Sequence, residues 1–497
     1  MKTIKFIMLV CAALLCTVVH PATAQNRWWG ELANLPFPEN YPAKQSSQVL
    51  LDELTFQRAV QVYLWALPAM NMYGMKEGSE KVFGKGYNVL PVFKKRLNAR
   101  TLVTTPNSDV IYAMGYLDLK EDGPLVIEVP PKLQGLLDDF WQRPLCDVGF
   151  AGPDKGQGGK YLVLPPGYKG KEPKGYFALR SRTYGVFVFW RAFYKDPTKL
   201  EEPVKLMEQT RIYPLGKKEN ARPMVFPDAS AVPANMLFPT DGSYYDMLAR
   251  FIQHEYVDPT ELDMRGMLLS IGITKDKPFT PDARTRVILD KAAATGFKMG
   301  KVLAFDTMDL HPEGKIYEDK QWGNVFTAKD PEFKINGAID LDARAVMFVS
   351  AYSTSPAMVL DIVGAGAKYP STNRDADGEH LSGGTSYRLR LPAHVPVNNF
   401  WSVTVYDALT ASGLDNGQPF PSISSFDKPA ANPDGSTDIY FGPSAPKGPS
   451  TSVRAGREKN WLRTVPGKGY FVIVRLYGPT QPYFDKTWKL PDIKKVE

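Results

Sequence analysis

The chain has 497 residues, 43% of them hydrophobic and 23% charged, with a formal net charge of +7. This composition excludes a disordered majority, and the length exceeds one ordinary core, so two or three domains are expected. Basic and acidic residues are interspersed, which excludes a nucleic-acid-binding stripe, and the 42 Pro and 40 Gly suit short strands joined by tight turns rather than an all-helical fold.

Residues 1–24 read as an export signal. Lys2 and Lys5 precede the apolar run Phe6 to Val19, and Ala22-Thr23-Ala24 supplies small residues for cleavage between Ala24 and Gln25. The run is shorter than the roughly 20 residues of a membrane-spanning helix, and Pro21 follows it. A periplasmic or secreted location is therefore expected, with no membrane span in the mature chain. Cys11 and Cys16 lie inside the signal, which leaves Cys146 alone and rules out an internal disulfide in the mature monomer. Losing Lys2 and Lys5 lowers the formal charge of +7 by two.

A Pro-rich leader (residues 25–50) is followed by helical spacing from Asp52 to Met72, where Leu54, Ala59, Val62, Leu64 and Leu67 share a face until Pro68 disturbs it. Short strands are predicted at Val110–Leu119, Leu125–Val129, Tyr161–Leu164 and Gly185–Trp190, with the spacing of a β-sandwich. The period then changes. Tyr244, Met247, Leu248, Phe251 and Ile252 follow helical spacing after Ser243 as a candidate N-cap, and further helical patterns run from Thr260 to Ile271 and from Pro281 to Phe297.

Strands are expected again from Ala345, at Ala345–Ala351, Tyr387–Leu391, Phe400–Tyr406, Thr437–Phe441 and Tyr470–Tyr477. The last carries Tyr470, Val472, Val474 and Leu476 on one face and Phe471, Ile473 and Tyr477 on the other. It therefore needs cover on both sides, from a neighbouring domain or subunit. Asp377-Gly378, Asn416-Gly417 and Asp434-Gly435 are turn dipeptides suited to positive φ.

Two stretches carry a family resemblance. "ARTLVTTPNSDVIYAMGYLDL" with "GKYLVLPPGYKG" resembles the bacterial domain of unknown function 1254, and "YRLRLPAHVPVNNFWSVTVYDALTASGLDNGQPFPS" through "FDKTWKLPD" resembles domain of unknown function 1214. The segment "DDFWQRPLCDVGF" departs from the family pattern. The resemblance implies tandem jelly-roll (double jelly-roll) β-sandwich domains; with the helical patterns above, the expectation is a mainly β protein of residues 51–240, a helical insertion over 241–335, and residues 336–497. Capsid-like jelly rolls imply a homo-oligomer, a trimer by fold analogy; glycosidase-like ones imply a glycan or other small-molecule ligand. The family implies no defined activity.

Candidate site residues each carry two readings. Asn107 and Asp109, in "TPNSD", either initiate a turn or offer ligand-binding groups at the mouth of a β scaffold. Asp138, Asp139, Arg143 and Asp147 surround Trp141; there, carboxylates beside an aromatic platform suit sugar binding and acid–base hydrolysis, and an Asp–Arg pair on a loop suits a structural role. Asp407, on the strand of Trp401, is either a general acid or base or a turn cap, and Asn416 belongs to the neighbouring turn. Asp139 and Asp407 are thus the catalytic candidates, and Asn107, Asp109, Trp141, Arg143, Trp401 and Asn416 the ligand-binding ones. Asn432 to Asp438 alternates oxygen-bearing residues but lacks the glycine and glutamate positions of a calcium loop. His254, His311, His380 and His394 lack metal-ligand spacing, no phosphate loop or serine nucleophile motif is present, and no metal or cofactor is predicted. The function expected is that of an exported envelope protein binding or processing a small or carbohydrate-like ligand, the alternative being a non-catalytic assembly protein.

Overall fold

The structure is a computed structural model describing residues 21–448 and 450–496, so residues 1–20 of the expected export signal lie outside the described residues. The chain divides into two units, Met1–Gln57 and Arg58–Glu497. In the first, Pro21–Ala33 is helical, and the Ser46 hydroxyl donates to the Pro36 carbonyl at 2.9 Å.

The helix expected from Asp52 to Met72 runs from Lys44 to Phe83 and passes straight through Pro68. Proline removes one backbone donor, but Trp65, Ala66, Leu67, Ala69, Met70 and Met72 are all buried, and that burial outweighs the local penalty.

The larger unit holds two β assemblies. In the first, a four-stranded antiparallel sheet has the order Ile111–Asp118, Gly185–Ala192, Gln134–Asp139, Pro144–Val148. A second four-stranded sheet has the order Phe177–Arg180, Gly159–Leu164, Leu125–Val129, Arg211–Pro214, with its first pair parallel. Both feed one apolar cluster that includes Ile127, Leu137, Val163, Val188 and the fully buried Trp190. The later assembly repeats the plan. A six-stranded sheet is centred on Val397–Asp407 and Tyr470–Pro479, a four-stranded sheet contains Tyr387–Leu391 and Thr437–Gly442, and they share a cluster that includes Leu389, Val403, Ile439 and Val474.

Between them lie helices Ser243–His254, Leu262–Ser270 and Ala283–Phe305. Ser243 is the first helical residue rather than the cap, which is Gly242; Asp282 caps the third helix by accepting from the Thr285 N–H. The fold thus joins several antiparallel sheets with many helices, 32% helix against 23% strand, and is less purely β than expected. One expected strand is corrected outright. Ala345–Ser350 lies in a helix, Leu341–Ser350, with Ala351 as its C-cap; the helix is begun by the Asp340 side chain accepting from Ala343 N–H at 2.9 Å and packs on Ala283–Phe305. A short apolar run is ambiguous in period, and the cap decides it. The three turn glycines Gly378, Gly417 and Gly435 have φ of 84°, 78° and 80°. Among the described residues, no helix is long and apolar enough to cross a membrane.

Candidate functional site

Two strands each have a second buried face, and these faces meet. In Gly185–Ala192, Val186, Val188, Trp190 and Ala192 enter the apolar cluster, so alternation turns Phe187, Phe189 and Arg191 to the opposite side. Tyr112 stands opposite Arg191 on one neighbouring strand and Gln134 on the other. In Tyr470–Pro479, Tyr470, Val472, Val474 and Leu476 point into the other cluster, leaving Phe471, Ile473, Arg475 and Tyr477 on the second face. The cover anticipated for that strand comes from the same chain: Tyr112, Phe189 and Arg191 line one cavity of about 50 Å³ with Ile473, Arg475 and Tyr477. Arg191 and Tyr477 also border an adjoining cavity of about 390 Å³, with Gln134, Gly135 and Asp147.

The charges along this seam are unbalanced. The Arg475 guanidinium donates to the Thr105 and Pro106 carbonyls at 3.0 and 3.3 Å, to Thr404 Oγ1 at 3.2 Å and to the Tyr406 hydroxyl, all neutral acceptors. Arg191 Nε is buried without a hydrogen-bond partner, and among the described residues no carboxylate forms an ion pair with Arg191. Arginine stays charged even when buried. Burial pushes the Tyr477 phenol far up, with Tyr112 and Tyr369 adding to the rise and the two arginines opposing it. Burial raises Tyr112 as well, against the pull of Arg475 and Arg191. These phenols therefore remain neutral hydrogen-bond donors at neutral pH. The Arg191 guanidinium, amid phenols and apolar walls and with only Asp147 as a carboxylate bordering its larger cavity, can bind a carboxylate or phosphate group with a small organic body, while Arg475, already engaged by four neutral acceptors, adds positive potential.

The sequence candidates fall into three places. Asn107 reaches the seam: its Nδ2 donates to the Tyr477 hydroxyl, and its Oδ1 accepts from the Asp109 N–H at 2.7 Å. Asp109 is fully buried, 2.9 Å from Arg96 Nη2 and bonded by the Ser422 hydroxyl at 2.8 Å. Trp141 and Arg143 line a different cavity, of about 520 Å³. Beside them Asp139 accepts from Arg143 Nε at 2.6 Å and from the backbone N–H of Trp141 and Arg143. The third group lies in the later β assembly. Asp407 Oδ1 caps the turn by accepting from Leu409 N–H at 2.8 Å, while Oδ2 accepts from Lys468 Nζ at 2.8 Å. Trp401 belongs to the apolar cluster, and Asn416 ties its turn to the Arg463 carbonyl at 2.8 Å. Asp139 and Asp407 line none of these cavities.

Arg191 and Arg475 escaped the sequence reading. Their signal is a single cation inside a strand that is otherwise apolar, "GVFVFWRA" and "YFVIVRLYGP". Among the described residues, no group of three His, Cys, Asp or Glu is arranged to hold a metal ion.

Comparison with known proteins agrees with the two assemblies. Residues 87–214 match the family model Protein of unknown function (DUF1254), and residues 366–481 match Protein of unknown function (DUF1214). The chain carries DUF1254 and DUF1214 in tandem. The seam joins them, since Arg191 lies in the DUF1254 match and Arg475 in the DUF1214 match. The VPA0106 protein from Vibrio parahaemolyticus has a similar structure, with 18% identity, a TM-score of 0.52, and coverage of 89% of this chain and 100% of that one. That likeness concerns fold alone. An uncharacterized protein from Burkholderia cenocepacia aligns over 91% of this chain and 96% of its own, at 12% identity and a TM-score of 0.37. No curated protein matches the chain.

Proposed function

We propose that this chain is an exported envelope protein whose paired β domains, of jelly-roll type, bind a small organic anion in the seam between DUF1254 and DUF1214. The observation that carries this reading is the Arg191 guanidinium, without a carboxylate partner, lining the same cavity as Arg475. Arg191 is partly buried, with Nε enclosed and unbonded, and an anionic ligand on its guanidinium would supply the counter-charge it lacks. The adjoining cavity of about 390 Å³ suits a small organic body. A glycosidase-type reading has less support, because Asp139 and Asp407 are engaged by Arg143 and Lys468 and line neither seam cavity. The strand Tyr470–Pro479 lends the assembly reading no support, because every one of its residues is buried within the chain.

Isothermal titration of the mature protein with small mono- and dicarboxylates and inorganic phosphate tests the proposal. Saturable binding that falls at least tenfold in Arg191→Leu is expected; a panel without any binder, or binding indifferent to Arg191, defeats it. Mass spectrometry of the periplasmic fraction tests export, with Gln25 expected as the first residue.

A further inference from the structure

The cavity of about 520 Å³ beside Trp141 lies apart from the seam and shares none of its lining residues. Its walls include Trp65 and Trp141, whose rings are 4.5 Å apart, together with Phe333 and Phe348. Its cations are accounted for one by one. Arg143 faces Asp139 at 2.6 Å and Glu261 at 3.3 Å, Arg182 faces Asp258 at 2.9 Å, and Lys334 faces Glu332 at 3.0 Å. Arg344 differs: its one hydrogen bond from the side chain goes to the Trp65 carbonyl at 3.4 Å, and no carboxylate among the described residues pairs with it. Burial holds its pKa down to about 10, with Glu261 pulling up and Arg143 down, so it is charged at neutral pH.

Two further unmet atoms call for one donor and one acceptor. Glu261 Oε2 is buried without a hydrogen bond, 3.8 Å from Arg265, and Arg143 Nη2 is likewise buried without an acceptor. A ligand that satisfies all three must carry an anion for Arg344, a donor for Glu261 and an acceptor for Arg143. A purely apolar carboxylate would leave Glu261 unmet, and a neutral sugar would leave Arg344 without a counter-charge. Hydroxyl groups serve as donor and acceptor at once, and indole walls suit the C–H face of a pyranose ring.

We propose that this cavity binds a hydroxylated carboxylate of sugar-acid type, with its carboxylate on Arg344 and its hydroxyls on Glu261 and Arg143. Only non-covalent contacts are involved.

Titration of the mature protein with D-glucuronate, D-glucose and acetate tests this. Glucuronate should bind saturably and at least tenfold more tightly than either of the others, and Arg344→Gln should reduce its affinity at least tenfold. Glu261→Gln, which keeps the volume and one acceptor oxygen, provides a second variant and should weaken binding at least threefold. Three outcomes overturn the proposal: absence of saturable glucuronate binding to the unmutated protein, acetate or glucose binding as tightly, or loss of binding in Arg191→Leu with none in folded Arg344→Gln.

Discussion

Arg191 and Arg475 reach one cavity from different sheets, and among the described residues neither forms an ion pair with a carboxylate. Their surroundings nevertheless differ. Arg475 is tied to two carbonyls and two hydroxyls, whereas Arg191 Nε has no hydrogen bond.

That difference predicts opposite effects on stability. Arg475→Leu orphans several buried acceptors and should cost about 2–3 kcal/mol. Arg191→Leu removes a partly buried, unpaired charge and should leave the ligand-free protein as stable or up to about 1 kcal/mol more stable. Urea unfolding of the two variants compares them, and equal losses would refute the distinction.

Arg96 joins Asp109, fully buried, to Asp427, with both contacts at 2.9 Å, and also donates to the Ser108 carbonyl at 2.8 Å. Arg96→Ala leaves Asp109 as an uncompensated buried charge and should destabilise by about 3–5 kcal/mol. Adding Asp109→Leu should restore part of that loss, and a thermodynamic cycle from chemical denaturation measures the coupling.

Asp138 gives stability a defined pH dependence. Burial is the main cause of its strong upward pKa shift; the Ser353 hydroxyl bond opposes it and Asp139 adds to it. A group that binds its proton more tightly when folded contributes its stabilisation below the ordinary carboxylate range, and that contribution is lost as pH rises through the folded-state pKa. Asp138 Oδ1, buried without a partner, adds to the cost of the charged form. Asp138→Asn should therefore stabilise by on the order of 1–2 kcal/mol at pH 7, with the gain shrinking toward zero below about pH 4. Melting curves of both proteins from pH 3 to pH 8 (on the order of five points) would show it; a gain independent of pH would contradict the assignment.

Cys146 should be a poor nucleophile. Burial drives its thiol far above the ordinary range, and Asp147 and Asp138 push the same way. Since the thiolate is the reactive form, alkylation at pH 8 should run at least about tenfold slower in the native protein than in urea. Equal rates would show the thiol to be freely ionisable.

Much of the fold could be read from residue order alone. Leu125–Val129 and Tyr387–Leu391 are strands over the expected residues because apolar runs end at turn residues there. Ala345–Ala351 resisted, since the Asp340 cap that makes it helical lies outside the apolar run. For the site, Asn107 was visible as a polar residue at a strand entrance, and its partner Tyr477 lies 370 positions away. Arg191 and Arg475 carry meaning only once both second faces are known, because pairing across sheets leaves no local spacing in the sequence. Trp141 and Arg143 were legible as neighbours, while Arg344 and Glu261 join them only through folding.

The second face of Tyr470–Pro479 also bears on how the chain can be divided. A cut between the two matched regions would part Ile473 and Tyr477 on one fragment from Tyr112 and Phe189 on the other, which line one cavity together. Each fragment would present an adhesive aromatic sheet to water and would aggregate or seek its lost half. The tandem is therefore expected to unfold as one cooperative body, its two halves depending on physical linkage to keep these faces from water.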